Sequence, residues 1–178
     1  MRLVLALCVL AAPALAECPP ASDLTADAAP LLERLAVAPD EAEARVLMDE
    51  LWRLWTAAPD EAAQALLDDG MERRESYDFL AARALFGRLV DYCPDYAEGY
   101  NQRAFAAFLV QDYEAALDDL DTALALNPDH VAALSGRALT LMGLGRMDEG
   151  QAALRAALAL NPWLGERAML IELPGEDI

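Results

Sequence analysis

The sequence predicts an all-α protein built as a stack of helix-turn-helix units, and three observations lead there. A Pro-Asp pair recurs as Pro94-Asp95 and Pro128-Asp129, and Pro162 follows before Trp163, so both intervals (94 to 128, 128 to 162) are 34 residues. The tail Leu124-Ala125-Leu126-Asn127-Pro128 is repeated identically at Leu158 to Pro162. Apolar residues also fall at helical spacing, as Ala44, Leu47, Met48, Leu51, Trp52 and Trp55 do. A fixed period of that length marks units that cannot bury their apolar faces alone and do so by stacking. Such a stack is a surface for holding a partner.

The elements follow in order. Arg2, the apolar run Leu3 to Ala12 and the small-residue site Ala14-Leu15-Ala16 read as a signal peptide over residues 1–16, cleaved after Ala16. The run is too short to span a bilayer, which takes about 20 apolar residues. A lipoprotein reading fails on register, because Glu17 separates Ala16 from Cys18. This predicts an exported chain, periplasmic in a Gram-negative bacterium. Residues 17–62 are expected to be an extended start, as far as Pro30, followed by a helical cap. That cap holds a short helix over Leu31 to Val37 and a longer one capped by Asp40 with Glu43. Pro59 then breaks the chain, and Asp60 caps a helix running to about Arg74. Repeats are expected over 63–96 (degenerate), 97–130 and 131–162. Asp95 with Glu98 is expected to form a capping box, and Asp129 to cap the last repeat. Residues 163–178 are expected to hold a terminal cap helix, Leu164 to Leu173, stopped by Pro174-Gly175, and a tail.

Laid over one another, the repeats match at Arg103 and Arg137, Ala104 and Ala138, Leu120 and Leu154, and Ala123 and Ala157. Gly70, Ala82 and Phe86 take the places held later by Ala104, Ala116 and Leu120. The second unit supplies Tyr100, Ala104, Tyr113, Ala116, Leu120, Ala123 and Pro128. The third supplies Leu134, Ala138, Met147, Gly150, Leu154, Ala157 and Pro162. In these residues the chain resembles the tetratricopeptide repeat family, over about 100 of its 178 residues. The resemblance implies a right-handed α-solenoid with terminal capping helices, whose first helix of each pair lines a concave groove.

Carried onto this sequence, the groove positions are Glu98, Asn101, Phe105 and Phe108 in the second unit and Ala132, Ser135, Leu139 and Met142 in the third. In the degenerate unit they are Gln64, Leu67, Met71 and Arg74. Phe105, Phe108, Leu139 and Met142 would make an apolar floor for a partner side chain, unless the terminal helices fill it. Arg103 and Arg137 stand where the family usually has leucine. They are candidates for gripping a partner's carboxylate, or for pairing with Asp118, Asp119 or Asp121, otherwise a solvated helix face. The family's lysine and asparagine grip on a C-terminal carboxylate is not carried over, since this chain contains no lysine.

A net charge of −18 disfavours nucleic acid and anionic membranes and favours a neutral or basic protein or peptide. Once Cys8 leaves with the signal, Cys18 and Cys93 remain. An oxidising compartment favours a bond between them, with a mixed disulfide or free thiols as the alternatives. No catalytic residue, metal site or cofactor is predicted. His130, the single histidine, stands in a turn and reads as a surface residue, and no Gly-rich phosphate loop or paired-cysteine metal motif is present. The function expected is a non-catalytic adaptor or scaffold binding a polypeptide segment in its groove. The alternatives are a self-associating structural protein and a hydrolase with an unrecognised carboxylate site.

Overall fold

A computed structural model of the chain describes residues 17–171. The signal peptide expected over 1–16 lies outside the described residues. Eight α-helices follow one another among those residues, with no strand: α1 Thr25–Ala36, α2 Glu41–Trp55, α3 Glu61–Glu75, α4 Phe79–Tyr92, α5 Ala97–Leu109, α6 Tyr113–Leu126, α7 Val131–Gly143 and α8 Met147–Leu160. Helices α3 to α8 form three stacked antiparallel pairs, α3/α4, α5/α6 and α7/α8.

Small residues let the two helices of a pair approach. Gly70, Ala104 and Ala138, spaced 34 apart, sit at equivalent places in α3, α5 and α7, and all three are buried. A Cβ on Gly70 would stand 2.4 Å from the ring of Phe86, which is itself fully buried. The turn within each pair is also periodic. Tyr77 (φ 64°), Gln111 (φ 62°) and Gly145 (φ 76°) are left-handed and again 34 residues apart. Each lets the next amide turn back onto the preceding helix, from Asp78 to the Arg73 carbonyl (2.9 Å), Asp112 to Ala107 (3.0 Å) and Arg146 to Leu141 (2.9 Å). Only the third turn has the glycine that this conformation favours. Gln111→Gly is therefore expected to stabilise the protein by roughly 0.5–1 kcal/mol. It relieves about 1–2 kcal/mol of left-handed strain against about 0.4–1 kcal/mol of added unfolded-state freedom. Urea unfolding measures this, and a loss of stability would show that the turn is unstrained.

Capping differs from expectation at two of four places. Asp40 and Asp60 accept from the amides of Glu43 (2.9 Å) and Ala63 (2.8 Å) as expected. Tyr96, not Asp95, precedes α5 and makes no side-chain cap, and Glu98 is drawn into the interior instead of reaching back. His130, not Asp129, caps α7: its Nδ1 accepts the Ala133 amide at 3.3 Å. In both turns the aspartate sits one residue too early and stays exposed.

The N-terminal segment departs furthest from expectation. It is helical from Thr25, with Pro30 inside α1, because apolar packing of Ala28, Leu32 and Leu35 outweighs the lost hydrogen bond. The α1–α2 hairpin does not cap the near end of the stack. It crosses to the far end, where Leu35, Leu47, Leu51 and Trp55 cluster with Val131, and Leu160, Trp163 and Leu164 pack against them. The Trp163 indole donates to the Ala38 carbonyl at 2.8 Å. The helix expected over 164–173 is, within the described residues, a single 3-10 turn, Gly165–Met169, followed by extended backbone. Near the chain start, Cys18 and Cys93 lie together, their Cα atoms 5.2 Å apart and their sulfurs within bonding distance.

Candidate functional site

The crossing hairpin shapes the groove. Helix α2 shows two faces: Leu47, Leu51 and Trp55 are buried in the cluster at the far end, while Met48 and Trp52 look across at α5 and α7. Between them lies a cavity of about 340 Å³. Its floor is Phe105 and Phe108 of α5 and Leu139 of α7, with Asn101 and Ser135 beside them and Arg74 of α3 at one side. Leu164 and Glu166, just beyond α8, close its end. Phe105 remains 45% exposed although Ala104 and Ala106 on either side are fully buried.

Of the residues expected in the groove, Arg74, Asn101, Phe105, Phe108, Ala132, Ser135 and Leu139 are brought together there. Gln64, Leu67, Met71 and Glu98 do not line it, Leu67 being buried in the core of the α3/α4 pair, and neither does Met142. It packs in the core between α7 and α8, where a Cβ on Gly150 would stand 2.7 Å from its Cγ. Arg103 and Arg137 are also elsewhere. Arg103 holds Asp119 through two hydrogen bonds (2.8 and 2.6 Å), which raise its guanidinium pKa, and Arg137 holds Asp121 at 2.6 Å. Asp119 is thereby buried, correcting the solvated face expected for it. Missed by sequence reasoning were Met48, Trp52, Gln102, Thr140, Leu164 and Glu166. The first two and last two arrive through tertiary contacts that no local pattern records.

Behind the groove runs a polar chain. The Arg74 guanidinium lies 5.2 Å over the Phe105 ring and donates to Gln102. Burial lowers its pKa, with Glu75 and Glu98 opposing that shift. Gln102 and Asn101 both donate to Glu98, which is 1% exposed. Glu98 in turn meets His130 Nε2 at 2.7 Å. Because His130 Nδ1 accepts from Ala133, the proton belongs on Nε2 and is donated to Glu98. His130 is fully buried, not a surface residue, and its ring stacks on Trp55 with centroids 4.1 Å apart. Tyr96 donates its hydroxyl to the Trp55 carbonyl at 2.7 Å, and burial pushes that hydroxyl's pKa strongly upward.

A second cavity, about 380 Å³, lies beside His130 and is rimmed by Asp23, Asp95 and Asp129. It invites a catalytic reading that the geometry does not support. Both ring nitrogens of His130 are engaged and one face is covered by Trp55, so the imidazole has no free lone pair to act as a base.

Comparison with known proteins places this arrangement. Residues 107–162 match the family model described as tetratricopeptide repeat. Tetratricopeptide repeat protein 36 of Xenopus tropicalis is 32% identical over 118 residues, covering 63% of this chain and 57% of that protein. A homolog of the same protein in Nematostella vectensis is 39% identical over 64 residues, covering 36% of this chain and 35% of its own length. The chain thus spans between a third and somewhat over half of these curated relatives. Among solved structures, the first TPR of Spaghetti (RPAP3), bound to an HSP90 peptide, superposes with a TM-score of 0.59 at 23% identity, covering 60% of this chain and 85% of that one. The fold is that of a tetratricopeptide solenoid, and residues 107–162 are similar to the tetratricopeptide repeat family.

Proposed function

We propose that this chain is an exported, non-catalytic adaptor that holds a polypeptide segment in the groove between α2, α5 and α7. One observation carries the reading: Phe105, Phe108 and Leu139 form an aromatic and aliphatic floor to a cavity of about 340 Å³ between α2, α5 and α7. A tetratricopeptide domain of similar fold is bound to a peptide in its solved structure, which supports the class of ligand. The net charge of −18 favours a neutral or basic partner. Arg2, the apolar run after it and Ala14-Leu15-Ala16 support export with cleavage after Ala16 and a periplasmic location. In that oxidising compartment Cys18 and Cys93 are joined as a disulfide.

The test is an affinity pull-down from periplasmic extract with the native protein beside Phe105→Ala/Phe108→Ala, the variant first shown to be folded by circular dichroism. A partner held by the native protein and lost by the variant is the expected result. Equal capture by both would place binding elsewhere. No capture by either would favour the self-associating alternative. Export is checked by the N-terminus of protein recovered from cell fractions: a chain beginning at Glu17 is expected, and one still beginning at Met1 in the cytoplasm would overturn it.

A further inference from the structure

We infer, resting on the reading that the groove binds a polypeptide segment, that the partner enters side chain first: the cavity takes one large aromatic side chain, with a neighbouring carboxylate of the partner meeting Arg74. Met48 and Trp52 of the hairpin stand across the cavity from α5 and α7, and Leu164 and Glu166 also line it. A cavity of about 340 Å³ enclosed in this way admits one large side chain.

The walls select for a ring. Trp52 stands on one side and Phe105 and Phe108 on the other, so an entering ring gains offset or edge-on aromatic contacts beyond simple burial.

Arg74 supplies the charge preference. Arg103 and Arg137 each hold an aspartate. Arg74 is half-buried against Phe105 and bonded only to the neutral Gln102, with no carboxylate within salt-bridge distance among the described residues. A half-buried guanidinium with no carboxylate in salt-bridge distance is stabilised by an incoming one. Glu166 stands on the closing side of the same cavity and suits a basic group further along the segment. The partner segment is therefore neutral or basic overall while placing one acidic residue beside its aromatic one.

The experiment is selection of a phage-displayed random peptide library on the full chain, followed by binding of the enriched peptides as synthetic, labelled probes. Enriched sequences are expected to share a Trp, Tyr or Phe within two residues of an Asp or Glu. Replacing the ring by Ala in the peptide, or Trp52→Ala in the protein, should weaken binding about tenfold or more. Arg74→Gln should weaken the acidic peptide several-fold and leave its Asn-substituted form unchanged. Trp52→Phe, which keeps a ring, should retain most of the affinity and serves if Trp52→Ala does not fold. Enriched peptides that lose binding to Phe105→Ala/Phe108→Ala but carry no ring, or that ignore both Trp52 and Arg74, would overturn the inference while the groove reading stands. Peptides indifferent to Phe105→Ala/Phe108→Ala, or no enrichment at all, would overturn both.

Discussion

Trp55→Ala is expected to cost roughly 3–5 kcal/mol of stability, the range for removing a fully packed aromatic side chain. Trp55 is 3% exposed, and its ring is one of the contacts between the hairpin and the repeats. One face covers His130, and the ring also packs with Leu35, Leu47, Leu51 and Val131. Truncation leaves a void beside a buried His130–Glu98 pair and loosens the hydrogen-bonded network that it covers. The hairpin should loosen from the stack as a result. Urea unfolding with limited proteolysis across the 56–60 linker checks both effects. Val46→Ala is the control, since Val46 is 56% exposed on the outer side of the same helix and should change stability by less than about 0.5 kcal/mol. A Trp55→Ala loss below about 1 kcal/mol would mean that the hairpin is not anchored through this residue.

Cys93→Ser is the second large effect. Closing a loop with a sequence separation of 75 corresponds to about 4 kcal/mol in the chain-entropy account. Cys93 is also buried against the core of the α3/α4 pair, so the serine hydroxyl adds the cost of an unpaired polar group. Cys18→Ala/Cys93→Ala separates the two contributions, because it opens the loop without burying a hydroxyl. At about 2–4 °C per kcal/mol for a chain of this size, the melting temperature should fall by roughly 8–16 °C. Reductant should lower the native protein's melting temperature by a similar amount and leave the double alanine variant unmoved. A native protein indifferent to reductant would show that the bond is not formed.

Much of the repeat region was legible because its determinants are local and periodic. The 34-residue interval, the small residues at Gly70, Ala104 and Ala138 and the Asp40 and Asp60 caps each act within one or two helices. The left-handed turns at Tyr77, Gln111 and Gly145 share that period, but only Gly145 announces the conformation chemically. Where local rules misled, a longer-range force had won. Pro30 reads as a breaker, yet it lies inside α1 because that helix is held by packing. Glu98 reads as one half of a capping box, yet it serves His130, 32 residues away. The groove floor was visible as Phe105, Phe108 and Leu139, whereas the opposite wall of Met48 and Trp52 depends on where the hairpin lands. Periodicity carries no information about that.

The Trp163 to Ala38 hydrogen bond, spanning 125 residues, has a consequence for how the molecule comes apart. Ordinary repeat arrays behave as one-dimensional chains in which end units fray independently and folding can start anywhere. Here the two ends of the chain are fastened to one another at the α7/α8 end of the stack, so that end unit cannot peel away by itself. Loss of either end exposes the same apolar cluster, which ties α1, α2, the start of α7 and the end of α8 into a single cooperative unit. Amide exchange in α1 and α8 should therefore approach the global unfolding rate instead of showing the graded protection of an open stack. The same closure concentrates long-range contacts at the end of assembly, so this chain should fold more slowly than an open array of equal length.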